Sequence, residues 1–337
     1  MKAVGYRRNL PIAAEDALVD LELTAPLPGD RDLLVRIMAV SVNPVDVKQR
    51  AHAAPPPGVA RILGFDAAGI VEAVGAKVTL FRPGEAVFYA GSIARPGTNA
   101  EFHLVDERIV GHKPKTLSFA EAAALPLTSI TAWELLFDRL GVRPGKQPDA
   151  GTLLIMGGAG GVGSMLIQLA RRLTGLTVIA TASRPETAAW CAALGAHHVI
   201  DHQKPLVNEL ARIGQPQVDL VASLTNTEQH FPALVEILKP QGRLGVIDDP
   251  AALDINPLKR KSVSVHWELM FTRSLFETED MIAQHRLLDE VADLVDAGVI
   301  RSTLSQNLGR IDAENLKKAH ALVESGKARG KIVLERF

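Results

Sequence analysis

The chain has a single cysteine, Cys191, among 337 residues. One cysteine excludes an intramolecular disulfide and any cysteine-rich structural metal site, and it is what a reducing compartment permits. An excess of charge of one sign is also missing: 37 Lys and Arg stand against 38 Asp and Glu, a formal net charge of −1. That balance gives no reason to expect nucleic acid or an anionic membrane as partner, and a small neutral molecule fits better. Apolar runs of membrane length are absent, and Met1 to Leu10 sets Lys2, Arg7 and Arg8 among short apolar pieces with no h-region. Neither a membrane span nor a targeting segment is expected, and the cytoplasm is the default location.

What is present divides by pattern. The length suggests two domains of ordinary size. From Lys2 to about Leu125 short β-rich stretches (Leu33 to Val42, Gly69 to Val74, Ala86 to Tyr89, Ala100 to Val105) alternate with Pro and Gly clusters. Pro55, Pro56 and Pro57 mark Ala51 to Val59 as a surface loop. Helical spacing sets in at Ser118 on both sides of Pro126. Beyond it come near-continuous apolar runs: Thr152 to Met156, Thr177 to Thr181, His198 to Ile200, Val218 to Leu224 and Leu244 to Ile247. Helical stretches separate them, which describes a parallel sheet covered on both faces, the doubly wound α/β class. The tail holds helices at Ile282 to Ala297 and Ala313 to Ser325, then a strand, Lys331 to Leu334, of a type that returns to the first domain. His197, His198 and His202 match no zinc spacing. The aromatic group of Trp267, Phe271 and Phe276 with Met270 reads as core or as the wall of an acceptor pocket.

The most informative segment follows the first apolar run. Gly157, Gly158, Ala159, Gly160, Gly161, Val162 and Gly163 stand directly before an amphipathic helix expected over Ser164 to Leu173. This is G-x-G-x-x-G between a strand and a helix: Gly158 for the tight turn, Gly160 for the approach of a pyrophosphate, Gly163 for close packing. The helix N-terminus offers free N–H groups and a positive dipole end to phosphate. An NAD enzyme would place Asp or Glu at the end of the next strand, yet that stretch reads Thr181, Ala182, Ser183, Arg184, Pro185. A hydroxyl beside a guanidinium suits a 2′-phosphate, so NADPH is the expected cofactor. Glu186, after Pro185, reads as the start of the next helix.

Together with Val42-Asn43-Pro44-Val45-Asp46, Gly64-Phe65-Asp66 and Leu125-Pro126-Leu127-Thr128-Ser129-Ile130-Thr131-Ala132-Trp133, this turn resembles the medium-chain dehydrogenase/reductase superfamily, nearest its quinone-oxidoreductase branch and members called zinc-type alcohol dehydrogenase-like. The resemblance implies a GroES-like β domain from residues 1-126 and 268-337, a Rossmann NADPH-binding domain over 127-267, a cleft where they meet, and a homodimer. It also implies Asn43, Asp46, Lys48, Tyr89 and Thr131 at or near that cleft, with Val246 and Ile247 among the cofactor contacts. Asn43 would bond the nicotinamide ribose or the substrate oxygen, Thr131 would contact the nicotinamide end, and Lys48 and Tyr89 are the candidate proton donors. Asn43-Pro44 is equally a turn initiator, and Asp46 equally a helix cap.

Zinc-dependent members hold their metal by Cys, His and a further Cys or Asp. The matching positions here are Asn43, Phe65 and Leu127, and Gly91 to Asn99 contains no cysteine for a structural zinc. No zinc is expected. Without a Lewis acid an alkoxide loses its stabilising group, so an electrophilic acceptor, a quinone or an α,β-unsaturated carbonyl, becomes the expected substrate. A cofactor-binding redox sensor or crystallin-like protein with little turnover, and an alcohol dehydrogenase without metal, are the alternatives.

Overall fold

The computed structural model describes residues 1–337. They divide into two compact units, Met1–Ile130 with Phe271–Phe337, and Thr131–Met270.

The first unit is organised on the eleven-residue strand Asp32–Val42, whose Leu33, Val35, Ile37 and Ala39 are 0 to 4% exposed. Apolar side chains at every second position give a pleated strand one face for the core. It pairs antiparallel with Ala67–Val74 and Phe102–Asp106, and Ala86–Tyr89 and Val110–His112 extend the sheet. The C-terminal strand Lys331–Glu335 does return here, antiparallel to the far end of Asp32–Val42 with Ile332 opposite Val42. That register sets Lys331 level with Asn43. A second, three-stranded sheet joins Val19–Glu22, Lys2–Tyr6 and Arg61–Ile62.

The second unit is a six-stranded sheet in the order His198–Ile200, Thr177–Thr181, Thr152–Met156, Val218–Ser223, Leu238–Val246, Ser264–Trp267. Every neighbouring pair is parallel. The chain builds outward to one side from Thr152–Met156 and then to the other, which is the Rossmann arrangement with its switch point beside that first strand. Thr152–Met156 is buried at every position. The helix Gly161–Leu173 lays Met165, Leu166, Ile167, Leu169 and Ala170 against the core, all at 0% exposure.

Three expectations change. Around Pro126 the helical passage resolves into Phe119–Ala123, capped by Ser118 with Glu121, then Pro126–Trp133, then a stretch of π-helix, Glu134–Arg139. The Leu140 N–H reaches the Leu135 carbonyl there at 2.9 Å, a wider turn than 3.6-residue periodicity describes. The strand expected from Leu244 begins at Leu238, because Gln241 takes a positive φ of 63° and the register with Val218–Ser223 shifts, so Pro240 and Gly242 no longer end the pairing. The aromatic group divides: Met270 and Phe271 are buried, whereas Trp267 and Phe276 are 57% and 75% exposed. No helix is long and apolar enough to cross a membrane.

Candidate functional site

The glycine turn stands at the carboxyl end of Thr152–Met156. Gly157 takes φ +76°, a conformation L side chains rarely adopt, so the tight turn rests on Gly157 rather than on Gly158. A Cβ on Gly158 would lie 2.7 Å from Ala180 Cβ and 3.2 Å from Cys191 Sγ, so this position is small for packing. On Gly163 a Cβ would meet the Gly157 carbonyl at 2.5 Å and Gly158 Cα at 2.7 Å, which is the close helix packing expected of it. Gly160 differs, since its nearest such neighbour is 3.5 Å away. The helix starts at Gly161 with Gly160 as its N-cap, three residues before the expected Ser164. Gly161, Val162 and Gly163 thus form its first turn, whose N–H groups lack intrahelical partners, while Ala159 before them is buried. The absence of a crowding neighbour at Gly160, beside those donors, fits a pyrophosphate.

The Gly157 N–H donates to Thr181 Oγ1 at 3.0 Å, which ties the turn to the next strand. Beyond that strand, Arg184 Nε donates to Glu186 at 2.9 Å and its side chain is 37% exposed, beside a half-buried Ser183. Glu186 lies in the first turn of Pro185–Leu194, as its sequence suggests. A 2′-phosphate would share that guanidinium with a carboxylate. Val246 is buried at the end of its strand, and the Ile247 N–H donates to the Ser223 carbonyl at 3.3 Å.

In the first unit a buried network surrounds Asp66, 0% exposed. Its Oδ2 accepts from Ser41 Oγ at 2.8 Å, Asn43 Nδ2 at 2.7 Å and Lys331 Nζ at 2.9 Å, and its Oδ1 from the Leu127 N–H at 2.7 Å. Lys331, 3% exposed, also donates to the Val42 carbonyl at 3.2 Å and to Asn43 Oδ1. The Asn43 amide is thereby oriented, its oxygen on the ammonium and its nitrogen on Asp66 and, at 3.4 Å, on the Phe65 carbonyl. Both its amide protons have acceptors, and the residue is 1% exposed, so the expected donation to a substrate oxygen has no proton to use. Asp46 accepts from the Asn43 N–H at 2.8 Å and the Gly64 N–H at 2.9 Å, the work of a cap on Pro44–His52. Burial pushes its carboxyl up to about 7 against the pull of those N–H groups and Lys331.

Tyr89 stands opposite Ala67 in the sheet, and its hydroxyl is committed to His103. His103 Nε2 lies 2.9 Å from the Pro96 carbonyl, which only accepts, and burial lowers the ring pKa to about 4. The neutral ring therefore carries its proton on Nε2 and accepts at Nδ1, where the Tyr89 hydroxyl donates at 3.0 Å. Tyr89 is 0% exposed, and burial holds its phenol well above the ordinary value. The proton-donor role expected of it is corrected to a structural hydrogen bond. Lys48 is exposed on Pro44–His52, and Thr131 is buried on Pro126–Trp133.

Two groupings escaped sequence reasoning. One is the Lys331–Asp66 pair. The other is Glu134 with Glu268, 0% and 4% exposed, both facing Arg139 at 3.8 and 2.8 Å. Burial, and then the Glu134 charge, hold the Glu268 carboxyl well above the usual range, so the pair keeps a proton at neutral pH. The readable signal was an acid inside each of two apolar runs, Ala132-Trp133-Glu134-Leu135-Leu136 and Trp267-Glu268-Leu269-Met270.

Residues 29–131 match the alcohol dehydrogenase GroES-like domain, and residues 194–334 match the zinc-binding dehydrogenase family. A zinc-type alcohol dehydrogenase-like protein of Staphylococcus aureus is 41% identical, with 99% of each chain covered. The chain belongs to the medium-chain dehydrogenase/reductase superfamily. Among solved members, a Rhizobium etli protein provisionally described as a zinc-dependent alcohol dehydrogenase is 60% identical over 100% of this chain and 98% of that one, with a TM-score of 0.96. The quinone oxidoreductase of Coxiella burnetii is 27% identical over 99% of both chains, with a TM-score of 0.82. This superfamily member is thus an oxidoreductase of GroES-like plus Rossmann build.

The zinc in those family names does not fit the residues present. Asn43 is committed to Asp66 and Lys331, Phe65 packs edge-on against Phe271 with ring centres 5.5 Å apart, and Leu127 has no donor atom in its side chain. Asp66 already accepts four hydrogen bonds. A tetrahedral zinc requires thiolate, imidazole or carboxylate donors with lone pairs to spare.

Proposed function

We propose that this protein is a zinc-independent, NADPH-dependent oxidoreductase that transfers hydride to a quinone or to the β-carbon of an enone or enal. The glycine turn carries the reading: a switch-point strand, a left-handed Gly157, and a Gly160 with no crowding neighbour beside the first-turn N–H groups. NADPH, when bound, supplies the hydride. The residues from Gly158 to Gly163 hold the pyrophosphate, Ser183 and Arg184 take the 2′-phosphate, and Val246, Ile247 and Thr131 position the nicotinamide end. Hydride addition leaves negative charge on the acceptor oxygen, which needs a proton. Lys48 is the side-chain source once Tyr89 is set aside, and solvent is the other. Asn43 contributes from inside the protein rather than through a free amide proton.

We further propose a cytoplasmic homodimer. Ser264–Trp267 is an edge strand with a neighbour on one side only, and it and the residue chain just beyond it expose Trp267 and Leu269 at 57% and 50%.

The deciding experiment follows NADPH consumption with a naphthoquinone, an enal and a simple alcohol–NADP⁺ pair. Turnover of the quinone or enal is expected. Alcohol oxidation alone would reject the acceptor class, and tight NADPH binding with no turnover would favour a sensing or storage role. The KM ratio of NADH to NADPH should fall at least several-fold in Arg184→Ala, and an unchanged ratio would remove the 2′-phosphate assignment.

A further inference from the structure

The network around Asp66 places two carboxylates, Asp46 and Asp66, deep in the first unit with one ammonium among them. We propose that Lys331 is the resident cation of this centre: an internal ammonium standing among the three positions that the resemblance matches to zinc ligands, where it pairs with Asp66 and holds the amide oxygen of Asn43.

Register puts it there. Ile332 opposite Val42 brings Lys331 alongside Asn43, one of the three positions. The ammonium bonds the Asn43 side chain directly, and it bonds Asp66, which follows Phe65 in the chain and takes the Leu127 N–H on its other oxygen. One charged atom thus links the strand end at Val42, the turn at Asp66 and the returning C-terminal strand, and reaches Leu127 through Asp66.

Its valence is also filled. An ammonium has three protons, and Val42 O, Asn43 Oδ1 and Asp66 Oδ2 are three acceptors. With no proton left over and no open coordination position, it cannot polarise a substrate oxygen as a Lewis acid would. Its action is electrostatic and positional. It holds the oxygen of the Asn43 amide while Asp66 and the Phe65 carbonyl hold the nitrogen, and an uncharged side chain at 331 would leave that oxygen without its donor. Lys331 is accordingly a positioning residue acting through Asn43 and Asp66.

A buried pair that has lost one partner is far less stable than a pair that has lost both, because the survivor is an uncompensated charge. The test therefore compares Lys331→Met, Lys331→Met/Asp66→Asn and Lys331→Ala by thermal melting of the full-length protein. Lys331→Met should melt roughly 5–10 °C below wild type, and the double variant should recover at least half of the difference. Lys331→Ala opens a cavity the size of the lost side chain, so ethylammonium chloride should raise its melting temperature. Sodium chloride and tetramethylammonium chloride at equal ionic strength should not, a specificity that a merely structural lysine stem would not produce. Melting of Lys331→Met within two degrees of wild type, no recovery in the double variant, or equal rescue by all three salts would each overturn the proposal. Where Lys331→Met yields no soluble protein, soluble double variant supports the assignment and insoluble double variant overturns it.

Discussion

At the scale of single residues, what a side chain can do here is decided by where its protons already go. Tyr89 and Lys48 look alike in sequence as proton donors, and the structure separates them through His103. Because the Pro96 carbonyl claims the Nε2 proton, the Tyr89 proton has one destination. Tyr89→Phe should keep kcat within about twofold while lowering stability by about 1–3 kcal/mol, the cost of leaving buried His103 Nδ1 without a donor. Steady-state assay and denaturant melts check both halves, and a hundredfold loss of kcat would restore Tyr89 to the chemistry. Lys48→Met should lower kcat by roughly tenfold or more if that ammonium delivers the proton, and a rate insensitive to the change would leave the task to solvent. None of this was legible from residue types. Asn43 could be read as positioned near the chemistry, but its saturation depends on Lys331 and Asp66, which are 288 and 23 positions away.

Elements were more open to sequence reasoning, because a strand or helix is specified by neighbours a few residues apart. Thr152–Met156, Thr177–Thr181, His198–Ile200 and Ala86–Tyr89 run over the expected residues, since apolar runs bounded by turn residues leave little choice. The π-helical stretch and the early start of Leu238–Val246 depend on the backbone geometry of particular residues, which periodicity does not carry. The glycine turn shows both sides. Its motif is local and readable, while the duty of each glycine depends on what packs against it. Gly160→Ala puts a Cβ where the nearest atom is 3.5 Å away, so it should melt like wild type yet bind NADPH at least tenfold more weakly. Gly163→Ala forces a Cβ to 2.5 Å from the Gly157 carbonyl, so stability and binding should fall together. Thermal melts paired with NADPH fluorescence titration separate the two, and equal binding by Gly160→Ala and wild type would refute the pyrophosphate site.

For the molecule as a whole, buried titratable groups set how stability varies with pH. His103 and His320 are held neutral by burial, at about 4 and about 3, against an ordinary value of 6.5. Unfolded, each binds a proton below 6.5 that the folded chain refuses, so their contribution is complete above 6.5 and is lost as pH falls. Asp46 and Glu268 behave in the opposite sense. Their folded pKa values are raised, to about 7 for Asp46 and further into the alkaline range for Glu268, so the folded chain keeps protons that the unfolded chain has released. Their contribution is present at low pH and disappears as pH rises through the folded values. Between about 4.5 and 6.5 the lowered histidines, with His197, His230 and His266 adding to His103 and His320, oppose the two raised carboxyls, each fully shifted group having a slope near 1.4 kcal/mol per pH unit. Above 7 Asp46 and His112, both raised, finish titrating, and Glu268 goes on lowering stability by on the order of 1 kcal/mol per pH unit. Glu268→Gln retains an acceptor for Arg139 and has no proton to lose. Its melting temperature should therefore decline less than that of wild type from pH 7 to 8.5, the gap widening with pH. Parallel curves for the two proteins across that range would show that the Glu134–Glu268 pair does not hold its proton, and that some other group governs alkaline stability.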